Sequence, residues 1–181
     1  MPTPLETRAT ATASTRPDRR VHTVVDSPIG PLLLIADDGQ LIRLAMLDDA
    51  EVADSPDVGV RDDAALAEAR AQLAAYFAGE RQEFDLPLRL AGTDFQRRVW
   101  AALREIPYGS TLSYGALAAR VGTPGGSRAV GLANGRNPVA VIVPCHRVIA
   151  ADGALGGYGG GLERKRTLLE LEQRVTGQRL L

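Results

Sequence analysis

Glycine and proline punctuate this chain so closely that only short elements fit between them. Breaks fall at Pro28-Ile29-Gly30-Pro31, Asp37-Asp38-Gly39, Gly79, Leu90-Ala91-Gly92, Pro107-Tyr108-Gly109, Gly122-Thr123-Pro124-Gly125-Gly126 and the glycine-rich residues 153–161. Between the first breaks, residues 21–25, 32–36 and 41–47 alternate as strand, turn, strand, which predicts an antiparallel meander. Asp62 or Asp63 can cap a helix in which Leu66, Ala69 or Arg70, Leu73 and Tyr76 or Phe77 recur at helical spacing, with Gly79 as its stop. A strand is expected over residues 83–88. Leu90-Ala91-Gly92 then marks the start of a mostly helical unit, capped by Thr93 or Asp94 and running through Phe95, Val99, Trp100 and Leu103. The expected organisation is a floppy tail over residues 1–20, an α/β domain over 21–89 and a second domain over 90–181.

Charge divides along the same line. The whole chain carries 21 basic and 22 acidic side chains, net −1. Residues 1–85 hold 8 basic and 16 acidic residues, whereas residues 86–181 hold 13 and 6. Such asymmetry points to an electrostatic partner for the basic half, phosphate being the commonest, or to attraction between the halves. No apolar run reaches the roughly 18 residues of a membrane span, and the N-terminus lacks a secretory h-region. A cytoplasmic protein without a membrane partner is expected. One cysteine and two histidines exclude an internal disulfide and a multi-cysteine zinc site.

Ser113 can cap a helix over residues 114–121, and Ser127 can cap a second through Ala133, with a glycine-rich turn between them. This is a helix-turn-helix pattern, although a packed helical hairpin has the same one. The second helix offers Ala129, Gly131, Ala133 and Gly135, plus one long cation, Arg128. Small residues suit close approach to a narrow groove, and a single cation suits intrusion into it.

Residues 139–143, Val-Ala-Val-Ile-Val, read as a buried strand that delivers Pro144-Cys145-His146-Arg147. Lone buried cysteines are usually inert, but this one adjoins the only histidine of the basic half, which can take its proton directly or through water. Adjacent side chains on an extended chain point to opposite faces, so a turn or a bridging water is required. Glu170 and Glu172 on the final helix are both available to orient the imidazole. The glycine loop over 153–161 lacks the Gly-Lys-Ser/Thr ending of a P-loop, so it better suits backbone approach to a flat ligand than nucleotide binding.

Asn137-Pro138, Ile142-Val143-Pro144-Cys145-His146-Arg147-Val148, Gly153, Gly156, Tyr158 and Gly160-Gly161-Leu162 together resemble the active-site signature of the O6-alkylguanine-DNA alkyltransferases. The resemblance extends through Phe95-Gln96-Arg97-Arg98-Val99-Trp100, Ile106-Pro107-Tyr108-Gly109, Ser113-Tyr114 and Ser127-Arg128-Ala129-Val130-Gly131. It covers residues 93–172, and more weakly the meander with Ser27-Pro28-Ile29-Gly30-Pro31. It implies an α+β protein: a ribonuclease-H-like α/β domain followed by a mostly helical, winged helix-turn-helix-like alkyltransferase domain.

The implied activity is single-use repair. An alkylated guanine, with O4-alkylthymine left open, is flipped out of duplex DNA and its alkyl group passes irreversibly to Cys145. By the family pattern His146 is the base through water, Glu172 holds the imidazole, and Tyr114 hydrogen-bonds the leaving guanine and crowds its phosphate. Arg128 replaces the flipped base. Ser113, Ala129 and Gly131 belong to the DNA-binding set, and Asn137 pins the turn after the recognition helix. Backbone groups of Cys145, Val148 and Gly159 read the base, with Tyr158, Gly160 and Ala140 lining the pocket. The implied partner is double-stranded DNA carrying alkylated bases, bound through its minor groove by a monomer, with cooperativity on DNA left open. No cofactor is implied. Some members hold a structural zinc through Cys and His in the N-terminal domain; here that region offers only His22, so no metal is expected. Ala140 stands where some relatives have proline, and Gly157 and Gly159 replace bulkier or polar residues, which leaves acceptance of bulky alkyl groups open.

Overall fold

A computed structural model describes residues 20–47 and 58–177. The expected tail falls outside these residues except for Arg20, which opens the first strand. The chain forms β1 (Arg20–Val25), β2 (Leu32–Asp37), β3 (Gln40–Met46), β4 (Val60–Arg61) and α1 (Ala67–Phe77). There follow α2 (Asp94–Arg104), β5 (Leu112–Ser113), α3 (Tyr114–Arg120), α4 (Ser127–Gly135), a 3-10 turn (Cys145–Arg147), β6 (Val148–Ile149) and α5 (Leu162–Thr176).

The meander forms as its turns dictate. β2 pairs antiparallel with β1 and β3, and β4, too short to announce itself in the sequence, adds parallel to β1 in the order β3-β2-β1-β4. β2 is buried on both faces. Leu32, Leu34 and Ala36 join the main core with Leu73 and Tyr76 of α1, while Leu33 and Ile35 pack with Leu47 on the other side. Each fully buried leucine there contributes about 2 kcal/mol of transfer free energy. α1 starts at Ala67, one turn later than the sequence suggests, because the Asp62 carboxylate accepts from the Ala64 and Ala65 amides and forms a separate turn.

Residues 83–88 are not a strand. Only Leu88 bridges to Leu41, through Leu41 N–H to Pro87 O (2.8 Å) and Arg89 N–H to Leu41 O (3.0 Å). Residues 139–143 are not a strand either, but a buried turn bridged to β3 at Leu44. Leu44 N–H donates to Pro138 O (2.9 Å) and Ala140 N–H to Leu44 O (3.2 Å). The outer edge of β3 is thus met at Leu41 by residues 87–89 and at Leu44 by the second unit instead of being left open to foreign strands.

In the second unit Thr93 caps α2 in a reciprocal capping box with Gln96. Trp100 donates its indole N–H to Ala133 O (2.9 Å), docking α2 on α4, while Leu117, Ala118 and Val130 bury the inner faces of α3 and α4. One apolar core runs continuously from Leu32 to Leu168 through both units. Among the described residues no helix is long and apolar enough to cross a membrane.

Arg164, near the start of α5, ties three segments together. Its Nε donates to Ile29 O (2.8 Å), one terminal nitrogen to Leu47 O (3.2 Å) and the other to Gly160 O (3.3 Å). The Ser27-Pro28-Ile29-Gly30 turn presents the first carbonyl. Ser27 Oγ–H donates to Gly30 O (2.6 Å), and Gly30 takes a φ of 92° that other residues rarely adopt. Arg164→Ala should lower the unfolding free energy by roughly 2 kcal/mol, the scale for hydrogen bonds from a charged donor. Urea denaturation reads this as an earlier midpoint; an unchanged midpoint contradicts the strap.

Candidate active site

The site is organised around the short path from α4 to the 3-10 turn. Asn137 closes a loop on itself: its Oδ1 accepts from Val139 N–H (3.0 Å) and its Nδ2 donates to Val143 O (2.7 Å). Between them Val141 adopts a φ of 68°, an uncommon conformation for a β-branched residue that costs about 1–3 kcal/mol. Asn137 and the apolar surroundings of the buried Val141 hold it there. After Pro144 the 3-10 turn supplies the bend that adjacent Cys and His require. Cys145 lines a groove, whereas His146 is fully buried and turned to α5.

Glu172, not Glu170, receives the imidazole. Glu170 is exposed; Glu172 is wholly buried. Its two oxygens accept from His146 Nε2 (2.8 Å), Tyr76 Oη–H (2.8 Å), Gly109 N–H (3.0 Å), Arg147 Nε (2.9 Å) and an Arg147 terminal nitrogen (3.0 Å). Burial alone would raise its pKa, but the hydrogen bonds from His146 and Arg147, with the Arg147 charge, outweigh that and hold it far below the usual carboxylate range. Burial lowers the His146 pKa against the opposing pull of Glu172, so the ring is neutral at pH 7. A neutral imidazole that donates through Nε2 carries its lone pair on Nδ1, which is buried and has no partner within the protein. Nδ1 is therefore the basic nitrogen.

Burial also raises the Cys145 pKa, with the Asn137 amide, the Tyr158 hydroxyl and the Lys165 charge pulling it back only in part. The resting group is a thiol. Beneath it Lys165, fully buried, donates Nζ–H to Val148 O (2.6 Å) and to Leu155 O, clamping β6 to the start of the glycine loop. Desolvation lowers the Lys165 pKa to about 8. Its ammonium lies 5.9 Å from the Tyr158 ring centroid. Asn134 Oδ1, like His146 Nδ1, is buried without a hydrogen-bond partner in the protein. Two unsatisfied polar atoms near one thiol are groups available to a water or a substrate.

The groove has a volume of about 1080 Å³ and is lined by Cys145, Tyr114, Arg128, Gly131, Ala140 and Asn137, together with residues 157–160. Tyr114 opens α3; its hydroxyl donates to Gly157 O (3.3 Å), and a Cβ on Gly131 would lie 3.7 Å from its ring. Burial raises the Tyr114 pKa, keeping the phenol protonated. Ser113 caps α3 by accepting from Ala116 N–H (3.1 Å). Arg128 and Ala129 are exposed on the first turn of α4. Val148 is buried, does not line the groove, and its carbonyl already accepts from Lys165; that of Cys145 accepts from Asn134 Nδ2 (3.3 Å). Gly157 borders open space and a Cβ on Gly159 would lie 4.0 Å from Gly135 O, but a Cβ on Gly160 would fall 2.2 Å from the Met46 sulfur. His22, the remaining histidine, faces Gly59 O (3.2 Å).

Sequence reasoning missed Tyr76, Arg147, Asn134, Lys165 and the β3 wall. Lys165 left one signal, a lysine one turn ahead of the apolar face of α5. Tyr76 left none, being 96 residues from the glutamate it serves.

Residues 94–174 match the family described as the DNA-binding domain of 6-O-methylguanine DNA methyltransferase, and residues 21–90 match its ribonuclease-like domain. The chain is 59% identical over 150 residues to the methylated-DNA–protein-cysteine methyltransferase of Mycobacterium leprae, covering 82% of this chain and 90% of that one. It is 50% identical over 151 residues to the protein of the same name from Methanosarcina acetivorans, covering 83% and 97%. Among solved structures, Mycobacterium tuberculosis OGT in complex with DNA superposes with a TM-score of 0.80 at 55% identity, over 86% of this chain and 94% of that one.

Protonation couples this site to stability. The unfolded chain binds a proton on His146 near the ordinary value of 6.5 that the folded ring refuses, and one on Glu172 near 4.5 that the folded carboxylate refuses. Both groups therefore bind more protons unfolded, and stability falls as pH falls. Urea unfolding between pH 7 and 5 should show a decline that His146→Gln flattens; identical slopes in the two proteins would contradict the buried neutral imidazole.

Proposed function

Because this chain belongs to the 6-O-methylguanine DNA methyltransferase family, we propose that it repairs O6-alkylguanine in DNA by moving the alkyl group onto its own Cys145, once per molecule. The observation that carries the reading is a groove-facing thiol next to a neutral histidine whose free nitrogen is fixed by a buried carboxylate. His146 Nδ1 takes the thiol proton through a water. The thiolate attacks the alkyl carbon, the S–C bond forms, and the C–O6 bond breaks with its electron pair leaving on the guanine. Tyr114, kept protonated, donates to that leaving group, and the proton held on His146 restores the phenol through solvent. The sum is thiol plus alkylguanine to thioether plus guanine, with no change of oxidation state and no cofactor. Water does not cleave a thioether under mild conditions, so the protein is consumed.

A stacked base hides its alkyl carbon from in-line attack, which makes flipping necessary. The exposed face of α4, with Arg128, Ala129, Gly131 and Gly135, suits the minor groove: small residues permit close approach and Arg128 fills the place of the flipped base. Asn137 keeps the Cys145 turn in register with α4, and Tyr158, Gly159, Gly160 and Ala140 form the walls around the base. The protein works as a monomer, in the domain arrangement 21–89 and 90–181.

Incubation with duplex containing O6-methylguanine should place a methyl group on the Cys145 peptide, and Cys145→Ser should bind the same duplex without accepting it. Methylation elsewhere, or none, overturns the reading. Arg128→Ala should slow transfer from duplex by at least tenfold more than transfer from free modified base, since about 1.4 kcal/mol of flipping cost left unpaid is tenfold; equal losses contradict the finger.

A further inference from the structure

The groove over Cys145 is built from both units and its charge is one-sided. Three arginines line it, Arg43, Arg128 and Arg136, and no aspartate or glutamate does. All three are exposed, and among the described residues none of their guanidinium groups pairs with a carboxylate. Arg43 is the outlier. It belongs to the acidic half of the chain and is the only lysine or arginine between Arg20 and Arg61, yet it lines the groove.

Its placement is fixed by the β3 edge. The Pro138–Ala140 segment is hydrogen-bonded to Leu44, the neighbour of Arg43, and that segment begins three residues after α4 ends. Arg128 and Arg136 mark the two ends of α4, about 12 Å apart along a helix axis. Arg43 enters the same groove from β3, next to Leu44, whose backbone is bonded to the segment that follows the C-terminal end of α4. Three like charges held in one groove repel one another unless a polyanion spans them, and each then acts on phosphate without regard to base. We propose that Arg43 is a phosphate contact, so that the DNA interface runs off the recognition helix and onto the N-terminal sheet. This rests on the repair reading above and adds a domain to its footprint.

The test compares full-length wild type, Arg43→Gln, Arg43→Lys and Arg70→Gln, the last an equal charge change on the exposed surface of α1. Binding to undamaged duplexes of two unrelated sequences is measured across a salt series. Loss of one phosphate contact shrinks the slope of log K against log salt by about 0.9. Arg43→Gln should show that smaller slope and weaker binding on both sequences, with Arg43→Lys and Arg70→Gln close to wild type. An unchanged slope in Arg43→Gln, an equal change in Arg70→Gln, or a loss confined to one sequence overturns the proposal. Failure of the wild type to accept a methyl group would instead sink the repair reading, which the salt slopes do not address.

Discussion

A single buried carboxylate holds this structure to its purpose. Glu172 is a charge in a site with no solvent access, and it persists there because five donors converge on it. Removing one partner of such a cluster typically costs 3–5 kcal/mol, so the donors are under strong mutual constraint. They come from α1, the turn before β5, and the 3-10 turn, while the acceptor comes from α5. The association of the two units and the orientation of His146 are therefore one problem with one solution. Arg147 extends the network by donating to Ile106 O (2.7 Å) and stacking 5.5 Å from the Tyr108 ring centroid.

The chemistry follows from that geometry. Burial makes both Cys145 and His146 neutral, which keeps a soft nucleophile unreactive while nothing is bound. Glu172 fixes which imidazole nitrogen is basic, and it stabilises the imidazolium once the thiol proton has moved. The positive charge of Lys165 favours the thiolate from beneath. A reagent that is spent in one use gains from this arrangement, because a permanently ionised thiol would be lost to stray electrophiles and oxidants.

Local signals in the sequence were enough for most local features, although Ser127 does not cap α4, which begins from Gly126 with no side-chain cap. Thr93 and Ser113 cap their helices as their residue types require, Gly122 to Gly126 break the helix pair, and the meander follows its turns. Residues 139–143 misled for a physical reason. A β-branched apolar run is equally at home in a buried turn when a side chain caps both of its ends, and Asn137 does so. Hydrophobic periodicity reports burial and is silent on which backbone partner is used. Nor could spacing decide between Glu170 and Glu172, two positions on one helix whose fates differ by 200° of rotation at about 100° per residue. Tyr76, Arg43 and the β3 wall depend on contacts between residues far apart in the chain, which no local pattern encodes.

The central claim is that the Glu172 network presets His146 as a neutral base with its lone pair on Nδ1. Nitrogen-15 chemical shifts and one-bond couplings of histidine-labelled protein at pH 7 test it directly, the ring being one of only two in the chain. The account predicts a protonated Nε2 and an unprotonated Nδ1 for His146 at pH 7, with protonation of Nδ1 only at a pH below the ordinary imidazole value. A protonated Nδ1 at pH 7, in either the other tautomer or the imidazolium, would contradict it.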